Sequence, residues 1–139
     1  MSNPFRHLDH RLILETALRQ FIPWLAMVVL VSLAGYPGVI CVTPMAWLIA
    51  LRVGNICVTR STSAESSQRI LEAALAGGLL GLLQGILFLV FITFLGPIQA
   101  SEWTRTIVLV VIQLILGILA GAGLSFFTAY LNEQRCKSN

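Results

Sequence analysis

Apolar residues run through this chain in four long stretches separated by short polar breaks, at approximately 12–34, 39–58, 70–96 and 105–131. Leu, Ile, Val and Phe fill the last two almost from end to end. No regular alternation of apolar and polar positions divides them, which excludes the ten-residue strands of a membrane β-barrel. A hydrocarbon core about 30 Å thick needs roughly 20 apolar residues of helix to cross it. The pattern therefore predicts an all-α membrane protein: four transmembrane helices in two antiparallel hairpins, forming a single domain over 1–139.

The breaks carry the local signals. Residues 1–20 read as an arm that becomes helical, with Asp9 placed to cap a helix starting at His10-Arg11. The run from Phe21 to Ala34 is short for a span and borrows turns from Leu12–Gln20, with Pro23 bending the helix near the interface. Gly35-Tyr36-Pro37-Gly38 is the strongest turn signal and releases span two, in which Thr43-Pro44 marks a kink. A single interfacial or re-entrant element in place of the second span is the alternative there. Residues 59–69 form a hydroxyl-rich loop in which Ser63, Ser66 and Ser67 offer helix caps. Gly96-Pro97 to Thr104 is the second tight turn, and 132–139 a polar tail.

Composition agrees with the pattern. Of 139 residues, 57% are hydrophobic and 11% charged, too little charge to cover a soluble domain of this size. The net charge of +3 is spread along the chain without interleaved aromatics, so nucleic acid is not an expected partner. Its placement sets orientation. Arg6, Arg11 and Arg19 precede span one; Arg52, Arg60 and Arg69 flank the 59–69 loop; Arg135 and Lys137 lie in the tail; only Arg105 falls opposite. The positive-inside rule then puts both termini and the 59–69 loop in the cytoplasm, with a bacterial plasma membrane as the expected location. Ser32-Leu33-Ala34 has the small residues of a cleavage site. The leader before it carries Asp9 and Glu15 among its arginines, so span one is expected to be retained.

Spans three and four carry matching strips of small residues. Ala73, Gly77, Gly81 and Gly85 recur every fourth position, as do Gly117, Gly121, Ser125 and Ala129. Residues four apart share a helix face. Lipid supplies no hydrophobic drive for helices to associate, so close backbone approach over small residues marks an interface. Antiparallel pairing about residue 101 sets Ala73 against Ala129, Gly77 against Ser125, Gly81 against Gly121 and Gly85 against Gly117. This glycine-zipper pairing is expected within the chain, with a second copy or another subunit as alternative occupants of the strips.

Gln84 and Gln113 each place an amide in hydrocarbon and are expected to point into protein. Glu72 is expected to pair with Arg69 or Arg52 at the cytoplasmic face. Trp24, Tyr36, Trp103 and Tyr130 fall at span ends as interfacial anchors, whereas Trp47 lies inside span two as a packing residue. Cys41, Cys57 and Cys136 have no paired spacing and read as packing residues. His7 and His10 lack further ligands for a metal, so no metal or other cofactor is expected.

No charged group reaches the midplane, where coupled carriers and voltage sensors keep theirs. No nucleophile, acid–base pair or metal set is assembled, so no catalytic residues are expected. The expected function is that of a non-catalytic accessory, assembly or stabilising subunit of a larger membrane complex. The alternative is a small oligomeric transporter or channel using Gln84, Gln113, Thr43 and the kinked second span. The expected partners are the lipid bilayer and a membrane protein, or a second copy of the chain.

Overall fold

The computed structural model describes residues 8–33, 38–62, 65–95 and 103–138. They form four helices: α1 (His10–Leu33), α2 (Gly38–Arg60), α3 (Ser66–Leu95) and α4 (Trp103–Ser138). Three contain a segment long and apolar enough to cross a membrane, at His10–Leu30, Ser66–Val90 and Val111–Arg135. The chain is thus an all-helical membrane protein. The glycine–proline turn at 34–37 and the one at 96–102 lie outside the described residues, as do His7, Ser63 and the side chains of Cys41, Thr43, Trp103, Arg105 and Cys136.

Helix starts follow their caps. The Asp9 carboxylate accepts from the Leu12 N–H at 3.0 Å and the Asp9 carbonyl from the Ile13 N–H at 3.1 Å, opening α1 at the expected place. At α3 the Glu65 carbonyl accepts from the N–H groups of Gln68 and Arg69, so Glu65 and not a serine stands at the cap. The α1 helix continues through Pro23, whose missing N–H costs one backbone bond without ending the helix. The polar tail departs from expectation: α4 stays helical to Ser138, past the anticipated end at 131. Asn132, Glu133, Gln134 and Arg135 are compatible with helix, and the first two bond to other helices, which holds that end in register.

In the bundle, α2 and α3 lie centrally, with α1 on one side and α4 on the other. Each outer helix touches both central ones, and among the described residues α1 and α4 do not touch. Ile13, Val53, Cys57, Ala73, Ala76, Leu80 and Ala129 form the buried core, with Phe21, Ile49, Val58, Ile70 and Leu79 packed against it.

The α3–α4 contact is built on backbone. A Cβ added at Gly77 would overlap the Gly121 carbonyl oxygen and the Ser125 side chain, and one at Gly81 would overlap the Gly117 carbonyl oxygen. One at Gly121 would strike the Gly77 carbonyl. Rising numbers on α3 meet falling numbers on α4, so the two run in opposite senses. Each glycine sits in the hollow between two residues one turn apart on its neighbour: Gly77 between Gly121 and Ser125, Gly81 between Gly117 and Gly121. The strips are thus offset by about half a turn from the simple pairing along their whole length. Gly85 faces Leu114, its ideal Cβ position 3.2 Å from the Leu114 Cα, and Gly117 faces Gly81.

Substitution at these glycines tests the packing. Gly81→Val should destabilise by about 1–3 kcal/mol or more, because the obstructing atoms are backbone and cannot rotate away. Gly78→Ala, where the nearest atom is the Ala122 Cβ at 3.6 Å, should be neutral within about 0.5 kcal/mol. Reversible unfolding in bicelles followed by circular dichroism would separate the two; equal effects would contradict the backbone contact.

Candidate functional site

Polar side chains concentrate where the start of α1, the end of α2, the start of α3 and the end of α4 converge. Two buried carboxylates organise this end. Burial of a carboxylate is costly unless its oxygens are bonded, so their partners define the site.

Glu72, on α3, is 0% exposed. One oxygen accepts from the Asp9 N–H at 3.1 Å, the other from the Ser61 hydroxyl at 2.6 Å. It therefore joins three helices: the N-terminus of α1, the residue just after α2, and α3 itself. With the Asp9 N–H bonded to it, this carboxylate stands at the positive dipole end of α1, the favourable sign for that geometry. Below it, Thr16 and Cys57 are buried and their side chains are hydrogen-bonded.

Glu133, on α4, is nearly buried. Its Oε1 lies 2.8 Å from the Arg69 Nε, while Oε2 accepts from the Ser66 hydroxyl at 2.9 Å. Arg69 thus turns to α4, and the pairing expected for it with Glu72 is replaced by this one. The physical reason is azimuth. Arg69 and Glu72 are neighbours on α3, but Glu72 is directed toward α1 and α2 while Arg69 and Ser66 face α4. Arg52 lies exposed on α2 and joins neither carboxylate. The Asn132 amide donates to the Asn55 side chain at 3.0 Å, linking α4 to α2. Glu15 and Arg19 form an exposed pair one turn apart on α1, of small energetic weight.

Deeper in the bundle, Ser125 is fully buried and donates to the Ala50 carbonyl at 2.7 Å. A Cβ at Gly54 would overlap the Ser125 carbonyl and lie 3.0 Å from the Thr128 Cβ. Ser125 is thus in contact with α2 and α3 together. Ala73 and Ala129, the outermost expected pair, are both fully buried in the core.

The two intramembrane glutamines part company. The Gln84 Nε2 is buried and, like the Trp24 Nε1, has no acceptor among the described residues. Gln113 is exposed on the outer side of α4, contrary to the expectation that it points into protein. Trp47, expected inside, is 55% exposed on α2, and Trp24, expected at the interface, is buried and stacked on Phe21. A hydropathy pattern gives depth along the membrane normal but leaves azimuth open, and all three departures are errors of azimuth.

Glu133, Ser61, Asn55 and Gly54 were not anticipated. Glu133 fell in a segment read as tail. Gly54 has Ala50 one turn and Ala46 two turns before it, a small-residue spacing in α2 that could have marked this contact.

Comparison with protein families, with curated proteins and with solved structures gives no match.

The Arg69–Glu133 pair lends itself to a double-mutant cycle. Arg69→Met and Glu133→Gln should each destabilise by about 1–3 kcal/mol, less than for a fully buried pair because Arg69 is partly solvated. The double variant should lose clearly less than the sum. Additive losses in chemical denaturation would show that the two side chains act separately.

Proposed function

We propose that this is a four-span protein of a bacterial plasma membrane, with both hairpins antiparallel and both termini cytoplasmic. In that membrane it serves as a non-catalytic accessory, assembly or stabilising subunit of a larger membrane complex. The basic residues around the polar end support the orientation: Arg11, Arg19, Arg60, Arg69 and Arg135 all belong to segments near it. With α2 as the fourth span, Trp47 lies some nine residues from the α2 start at Gly38, about 13 Å into the layer. An indole at that depth is away from the headgroup level that suits it.

The observation that carries the reading is the divergence of the polar intramembrane groups. A path for a substrate or ion needs them gathered along one line, and Gln84 is turned inward while Gln113 is turned outward. The buried carboxylates at the polar end are engaged in bonds between helices. That is the design of a scaffold. Trp47 and Leu48, exposed on α2, and Ile22 and Leu30, exposed on α1, offer apolar surface for a larger partner.

The test is gentle extraction of the tagged chain at native abundance, with size analysis and mass spectrometry. Stoichiometric recovery with larger membrane subunits, lost on Trp47→Ala, is the expected outcome. Recovery of this chain alone would overturn the accessory role and favour the transporter reading.

A further inference from the structure

The outward face of α4 has a feature that neither lipid nor the rest of the chain satisfies. Gln113 stands ten residues from the start of α4 at Trp103, about 15 Å along the helix and inside the apolar segment Val111–Arg135. Its amide has two donors and an acceptor, is exposed, and makes no hydrogen bond among the described residues. In hydrocarbon such a group requires a protein partner.

The same face repeats in a coiled-coil register. Gln113, Leu116, Ala120, Gly123, Phe127, Tyr130 and Gln134 follow one another at alternating spacings of three and four. All are exposed except Ala120, which is partly so. This is the 3.5-residue period of a left-handed helix pair, and it lies opposite the face that packs on α2 and α3. Gly123 is the telling position. An added Cβ at Gly54, Gly77, Gly81, Gly85, Gly117 or Gly121 would press on another helix of the same chain, whereas at Gly123 it meets nothing within 4 Å. Glycine in a helix interior costs about 1 kcal/mol relative to alanine, and here no contact within the chain offsets that cost.

We propose that this face of α4 binds the same face of a second copy, in parallel about a two-fold axis along the membrane normal. Copies inserted with one topology present α4 in the same sense, so each residue of the seam meets its own counterpart. The carboxamide is self-complementary: the N–H of one Gln113 is donated to the carbonyl oxygen of the other. A single polar residue on such a seam also fixes its register, since any slip leaves both amides unpaired. Ala120 and Gly123 let the backbones approach, and Leu116 and Phe127 flank them. A second copy is favoured over an unlike partner because the required donor and acceptor are both supplied by Gln113 itself. The proposal does not rest on the accessory reading, which places its partner on α1 and α2.

Disulfide trapping in native membranes tests it, in a chain with Cys41 and Cys136 replaced by serine. Leu116→Cys lies on the seam and Ile115→Cys lies off it, and both positions are exposed, so neither change disturbs the fold. Mild oxidation should give covalent dimer with Leu116→Cys and little with Ile115→Cys. Gly123→Leu and Gln113→Leu should each weaken dimerisation by roughly three- to thirtyfold in single-molecule photobleaching, with helix content unchanged. Equal trapping at both cysteines would overturn the proposal. So would a chain that stays monomeric at all densities, or trapping of Leu116→Cys to a different protein.

Discussion

The fold depends on how closely the backbone of α4 approaches its two neighbours. Within a bilayer, apolar side chains gain nothing by leaving lipid for protein, so association rests on contact and hydrogen bonding. Gly117, Gly121 and Ser125 let α4 come close enough that the carbonyls of Gly77 and Gly81 stand where side chains would otherwise be. Ser125 carries this furthest. Its backbone meets Gly54 of α2, its side chain meets Gly77 of α3, and its hydroxyl bonds the Ala50 carbonyl. Three helices are held at one residue. The helix-propensity cost of the glycines is accepted where the close approach is needed.

The polar end complements this packing by specifying it. Small residues slide past one another with little penalty, so a smooth strip leaves register loosely defined. Glu72 and Glu133 remove that freedom, because a displacement of one turn would leave a buried carboxylate without its donors. Glu72 fixes α1 and the end of α2 against α3, and Glu133 fixes α4 against the first turn of α3. Both carboxylates sit at the end of the bundle, where desolvation is cheaper than at midplane. The chain places its charges where they determine geometry at least cost.

The sequence made some of this legible, for identifiable reasons. Four helices followed from run length, and the Asp9 cap from residue type and position, because both are local properties. The strips at Ala73–Gly85 and Gly117–Ala129 were visible as a four-residue period. Their meeting within the chain required the structure, and so did the half-turn offset between them, which seats each glycine in a hollow of the facing helix. What lay hidden was azimuthal or long-range. Gln113 and Trp47 face outward and Trp24 inward, although hydropathy treats the two sides of a buried-looking helix alike. Glu133 is separated from Arg69 by the whole α3–α4 pair, and the apolar signal had already ended before it. The orientation of the termini and the role in a complex stay proposals drawn from charge placement and from the scatter of polar groups.

The most direct measurement is solid-state NMR of glycine-labelled protein in lipid. Through-space correlations would be sought between Gly77 and Gly121 and between Gly81 and Gly117, at full labelling and after dilution into an excess of unlabelled chain. The account predicts that both correlations appear and that, per labelled chain, their intensity is unchanged by dilution, since the contact lies within one chain. Correlations that are absent, or that fade with dilution, would contradict it.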